Sequence, residues 1–276
     1  MTKILAAFSY TSDIKAALDA LARWKSISVE ICIDCTDAET TIRSVAAAKA
    51  GGARRVELCS RMDVGGLTPP AYLVAEARQV WGQNRPGLLA MIRPRPGNFT
   101  YSKDEAALMA EQYDLLAEAG ADGFVLGAVR RGKLDKSVMF PLVEMILGDE
   151  FSCTCHRAFD AAFNPEAALD LVEELGMHRV LTSGTPWGSG LGVEKGVDQL
   201  IKLRRQAKPW IEIVLGGGVD AATIGPILAQ LPLDAGPISV HAYSSVLRDG
   251  ITDEGAVAEL VAVANQAARD WMGCNP

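Results

Sequence analysis

No stretch of this chain is rich in lysine or arginine, which argues against nucleic acid or an anionic membrane surface as its main partner. No segment approaches the roughly 18 apolar residues that a membrane span needs, and the N-terminus lacks the long apolar run of a secretory signal. A cytoplasmic protein is therefore the default expectation. Without such a signal, the cysteines Cys32, Cys35, Cys59, Cys153, Cys155 and Cys274 do not read as a disulfide framework. Cys32 and Cys35 have the spacing of a redox pair, but the better reading puts Cys32 on a strand with Cys35 simply following it. No Gly-x-Gly-x-x-Gly turn follows an early strand, as a doubly wound dinucleotide-binding sheet would normally show. No lysine lies at a strand end, so a Schiff-base mechanism is disfavoured.

What is present is a large apolar fraction in regular order. Of 276 residues, 49% are hydrophobic and 22% charged, enough to bury a sizeable core. The net charge is −7, from 27 basic and 34 acidic residues. The length suits a single α/β barrel, for which roughly 250 residues is typical. Apolar β-prone runs at 27–33, 55–59, 88–93, 123–127, 151–156, 179–182, 211–215 and 238–241 predict strands. Helical spacing predicts helices at 38–50, 69–81, 103–119, 136–147, 165–175, 193–207, 221–230 and 254–271, with Asp37, Ser102 and Asn164 as caps.

Strict β–α alternation demands parallel pairing with right-handed crossovers. Eight such units most simply close into a (β/α)8 TIM barrel of the α/β class, with the open doubly wound sheet as runner-up. The chain divides into a short N-terminal extension, 1–26, with an amphipathic helical stretch at 13–24, and one barrel domain, 27–276.

The stretch Ser152-Cys153-Thr154-Cys155-His156-Arg157-Ala158-Phe159-Asp160 ends a strand in ionisable side chains. Burying such groups costs free energy, so a fold that places them there usually uses them. The same grammar ends the other strands, and in a barrel those ends converge on one site. Period-2 alternation lets Glu30 and Cys32 share a face, as do Glu57 and Cys59, Met91 and Arg93, and Thr154 and His156.

Two chemical readings follow. One is an acid–base enzyme site for a small anionic ligand. Its catalytic candidates are Glu30, Glu57, His156 and Asp160. Its ligand-binding candidates are Arg93, a planar fork for carboxylate or phosphate, with Arg95, Arg157, Ser183 and His241. Gly216, Gly217 and Gly218 would offer backbone N–H groups ahead of a helix beginning near Val219. The other reading is a soft-metal site. Cys32 and Cys59 lie on adjacent strands with Met91 near, and thiolate and thioether donors favour Cu(I). Against both, the cysteines also read as ordinary small buried residues, the acids as structural partners of Arg93 or Arg157, and the glycines as a tight turn. Trp187 reads equally as a lid aromatic or an exposed loop residue. His178 precedes its strand and falls at the opposite face.

Several blocks in order resemble one known family. They are Val29-Glu30-Ile31-Cys32-Ile33-Asp34, Arg55-Val56-Glu57-Leu58-Cys59-Ser60, Gly65-Gly66-Leu67-Thr68-Pro69, Met91-Ile92-Arg93-Pro94-Arg95, His156-Arg157-Ala158-Phe159-Asp160, Leu181-Thr182-Ser183-Gly184 and Gly216-Gly217-Gly218. Together they resemble the CutC family, named for copper homeostasis. The resemblance implies a TIM barrel, a cytoplasmic location and Cu(I) at the cysteines that match Cys32 and Cys59. A homo-oligomer is compatible with it. The chain departs from the family pattern at Pro96-Gly97, at Cys155 and in the loop 185–192, changes that bear on the ligand rather than on the fold.

Overall fold

The computed structural model describes residues 26–83 and 87–274. The expected helix at 13–24 lies outside them. Eight parallel strands close into a barrel: β1 (Ser28–Asp34), β2 (Arg55–Cys59), β3 (Leu88–Met91), β4 (Gly123–Leu126), β5 (Ser152–Cys155), β6 (Arg179–Thr182), β7 (Glu212–Leu215) and β8 (Ile238–Ala242). Each strand pairs with its sequence neighbours, and β1 pairs with both β2 and β8 to close the ring. Helices cover the outside: α1 (Ala38–Ala50), α2 (Ala71–Trp81), α3 (Lys103–Glu118), α4 (Lys136–Gly148), α5 (Pro165–Glu174), α6 (Val197–Gln206), α7 (Ile224–Leu228) and α8 (Glu254–Cys274). The fold is a (β/α)8 TIM barrel.

The caps read from the sequence act as such. Asp37 accepts from the Thr40 N–H, Asn164 from the Ala167 N–H, and Ser102 forms a reciprocal capping box with Glu105. Elsewhere the boundaries move. The α2 helix begins after Pro70 rather than at Pro69. The helix expected over 221–230 shrinks to α7, because Asp220 first closes a turn onto the Thr223 N–H. The helix expected from 193 is interrupted at Gly196. A Cβ there would lie 1.9 Å from the Ser183 carbonyl oxygen, so only glycine lets the backbones touch. Two short antiparallel ribbons, pairing 129–130 with 133–134 and 247–248 with 251–252, sit among the loops and were not expected.

Alternate strand side chains, among them Ile31, Leu58 and Val240, pack with the helices in one apolar core. Inside the barrel the lower layer is ionic. The Arg55 Nε donates to Glu30 Oε2 at 2.8 Å, and its Nη2 donates to Glu212 Oε1 at 2.7 Å and Ser239 Oγ at 3.1 Å. Beside it, Arg179 donates to Thr154 and Ser152, each at 2.8 Å. His178, at the opposite end from the mouth, accepts from the Cys153 N–H.

Candidate functional site

Above the ionic layer the inward side chains of β1, β2, β3 and β8 converge. Register sets Cys32 beside Glu57, and Glu30 beside both Arg55 and His241. Cys32 Sγ lies 3.7 Å from Cys59 Sγ and 3.6 Å from Met62 Sδ. Met62 comes from the single turn 62–64 that follows β2. The turn can press onto the sulfurs because the residue above them is Gly66, at φ +81°. A Cβ there would approach Met62 Sδ to 3.2 Å and Cys59 Sγ to 3.3 Å. Met91 joins the same buried cluster from β3.

His241 bridges two acids, with Nδ1 2.8 Å from Glu30 Oε1 and 3.4 Å from Glu57 Oε2. Burial opposes its charge, but the contacts to Cys32 and Glu30 and the nearby carboxylates win, so its pKa is raised well above the usual histidine value. Burial would raise Glu30. The Arg55 guanidinium and His241 overcome it and hold this carboxyl well below its ordinary range. Glu57 has His241 but no arginine beside it, and burial outweighs the histidine and pushes it up to about 8. The hydrogen bond from Cys59 brings Cys32 down to about 6 against burial, while the same contact raises Cys59. These shifts favour charge on Cys32 and His241 and disfavour it on Cys59, around the Met62 thioether. Cys32, Glu57 and His241 also place one ligand atom each within 4.8 Å of one another.

A cavity of about 250 Å³ opens over this cluster and continues towards β5, β6 and β7. Its far half is walled by Phe99 and Trp187, whose rings meet edge to face at 5.1 Å. Trp187, left open by the sequence, is a wall of the cavity, and the Arg157 guanidinium lies 5.3 Å over its ring. His156, Gly217 and Gly218 also line this half. The His156 Nδ1 accepts from the Ala158 N–H at 3.0 Å. Burial and the nearby Arg93 push this histidine down to about 3, so it stands as a neutral imidazole with its proton on Nε2.

Other candidates take supporting positions. Arg93 lines the cavity, but its fork is spent on backbone: Nη1 donates to the carbonyls of Gly65 and Gly66, both at 2.9 Å, and Nη2 to that of Gly97 at 3.0 Å. It is a loop clamp rather than a ready carboxylate fork. Arg95 turns away to Glu105 and the Asn98 and Thr100 carbonyls. Asp160 accepts from Arg157 Nε at 2.8 Å, from the Ser183 N–H and Oγ at 3.1 Å each, and from Thr182. It fixes the end of β6 and the Arg157 side chain and lies off the cavity. Ser183 likewise receives Arg157 Nη2 at 2.7 Å. Gly216 donates to the Thr182 carbonyl and does not line the cavity. No helix begins at Val219, so the expected helix end behind these glycines is absent. Cys35 packs in the outer core, apart from Cys32, and the redox pairing falls away. Met62, Phe99 and Arg55 carry roles that sequence reasoning missed.

The pattern that defines the CutC family matches residues 27–244. A family protein CutC of Vibrio cholerae is 38% identical over 221 residues, 80% of each chain. One of Bacteroides thetaiotaomicron is 37% identical over 207 residues, 75% of this chain and 78% of its own. A solved copper homeostasis protein CutC of Streptococcus agalactiae superposes with a TM-score of 0.66 at 28% identity, over 78% of this chain and 98% of its own.

Proposed function

The chain belongs to the CutC family, and from that premise we propose that it binds Cu(I) as cargo at the floor of the barrel mouth. The ligands are the Cys32 and Cys59 sulfurs with the Met62 thioether. The sulfur spacing carries this reading. A metal–sulfur bond of about 2.3 Å in a trigonal plane separates its ligands by roughly 4.0 Å. The two edges that meet at Cys32, 3.7 Å to Cys59 and 3.6 Å to Met62, are within a few tenths of that. Two thiols and a thioether form a soft donor set that selects Cu(I) over harder ions. A reducing compartment such as the cytoplasm suits the reading, since all the buried cysteines are free. No helix among the described residues is long and apolar enough to cross a membrane.

The test is a Cu(I) titration against a competing chelator in a Cys274→Ser background, because Cys274 is an exposed thiol that can bind copper on its own. One equivalent should bind. Adding Cys32→Ser and Cys59→Ser should abolish it. Undiminished binding in that variant contradicts the assignment.

A second reading is favoured by the size of the cavity, which extends well past what one ion needs. On it the mouth is a small-molecule enzyme site. Glu57, with its raised pKa, and His241 then serve as the acid–base pair.

A further inference from the structure

We propose that the half of the mouth cavity opposite the sulfur cluster binds the phosphate or carboxylate group of a small metabolite. This deepens the second reading by naming the class of its ligand, and it does not depend on copper.

Two buried side-chain nitrogens in this half, Arg93 Nε and His156 Nε2, make no hydrogen bond of normal length. Arg93 is 2% exposed, and its buried Nε makes no hydrogen bond of normal length, with only the neutral Tyr101 hydroxyl beside the guanidinium. Its other bonds go to neutral backbone carbonyls, and no carboxylate lies within ion-pair distance of it among the described residues. A buried cation with no counter-charge is costly, and a bound anion would answer it. His156 is equally buried, and its Nε2 is likewise without a partner. Both residues line the cavity and share one apolar neighbour: the Arg93 guanidinium lies 4.9 Å from the Phe99 ring, and the His156 ring 5.1 Å.

The opposite wall adds donors of its own. Arg157 uses Nε on Asp160 and Nη2 on Ser183, which hold it rigidly. Its Nη1 lies over Gly217, where a Cβ would come within 2.9 Å. Gly217 and Gly218 have φ of +92° and +85°, and neither N–H donates to a backbone carbonyl among the described residues. Successive N–H groups in such a turn form a concavity for an anion. The side chains between these donors, Phe99, Leu181 and Trp187, offer no acceptor. A site with donors on two sides, positive charge and apolar walls fits an oxyanion and rejects an amine. The acid that lines the cavity, Glu57, lies at its other end beside the sulfurs. A ligand anchored here would therefore extend its uncharged end towards Glu57.

The experiment measures thermal stabilisation and calorimetric binding of inorganic phosphate, 3-phosphoglycerate and acetate at matched ionic strength, with glycerol as the uncharged control. At least one oxyanion should bind saturably and glycerol should not. Phosphate against acetate separates the two sources of charge. Gly217→Ala should weaken the bound probe at least tenfold, because the added methyl meets both the left-handed backbone and Arg157. Cys32→Ser with Cys59→Ser should leave it unchanged, so loss of copper binding and loss of anion binding are separable. In the parent protein, the probe should shift the amide resonances of Gly217 and Gly218 and leave those of Gly52 and Gly176 in place, a readout that needs no variant to fold. Absence of binding by every oxyanion, parental affinity in Gly217→Ala, or shifts confined to other regions would overturn the proposal.

Discussion

Replacing Arg55 by leucine should be among the most damaging single changes inside the barrel, and the damage should depend on pH in a defined direction. Arg55 is 5% exposed and answers two carboxylates, Glu30 and Glu212, at 2.8 and 2.7 Å. Removing one partner of a buried ion pair costs about 3–5 kcal/mol, since the other is left charged and undersolvated. At roughly 2–4 °C per kcal/mol for a domain of this order, Tm should fall by about 6–20 °C. In the parent, the carboxyl of Glu30 is held below its unfolded value. Its contribution is present above the unfolded pKa and is lost as pH falls through the folded one. Without Arg55 the burial of Glu30 is no longer opposed by its main counter-charge, so its pKa should rise. The folded state then prefers the protonated acid, and the variant should regain stability relative to the parent as pH falls towards the acid's own range. Urea melts of parent and variant at pH 5.5 and 7.5 measure this. A deficit under 1 kcal/mol at pH 7.5, or a deficit that grows on acidification, would refute the reasoning.

Met62→Leu nearly conserves volume, so it should cost under about 1.5 kcal/mol in stability yet weaken Cu(I) about tenfold or more in chelator competition; equal affinity would remove Met62 from the site. Glu57 has its folded pKa raised to about 8, so the stability its neutral form supports is present below the unfolded value and lost as pH rises through 8. Parent Tm should therefore fall between pH 6 and pH 9 relative to Glu57→Gln, and parallel profiles would contradict this. Asp160→Asn keeps the shape but weakens the charge-assisted bonds from Arg157 and Ser183, so chemical denaturation should show a loss of about 2–3 kcal/mol; no loss would mean the β6 end is held by other contacts.

The barrel was legible because strand period and helix period alternate without a break, and local caps such as Asp37 and Ser102 mark the helix starts. The convergence of Cys32, Glu57 and His241 was legible for the same reason: period-2 alternation decides which side chains face inward once a parallel barrel is granted. What stayed hidden depends on register and on loops. The partner of Glu30 is Arg55 rather than Arg93 or Arg157, and only the offset between β1 and β2, which sets Arg55 beside Glu30, selects it. Met62 reaches the sulfurs through a turn whose path is set by the left-handed residues Arg61, Gly65 and Gly66; the Gly65-Gly66 pair was its one visible signal. Arg93 stands at a strand end like a ligand fork, but Val64, Gly65 and Gly66 fold their carbonyls over it. Asp160 lies on the short helical turn after β5, and its position four residues past His156 carries it behind Arg157 instead of into the mouth.

X-ray absorption at the copper edge, on the Cys274→Ser protein loaded with one equivalent of Cu(I), addresses the sulfur-site assignment most directly. Three sulfur scatterers at about 2.3 Å, falling to fewer in Met62→Leu, is the result expected from Cys32, Cys59 and Met62. A shell of nitrogen or oxygen atoms, or a sulfur shell that persists in Cys32→Ser with Cys59→Ser, would contradict it.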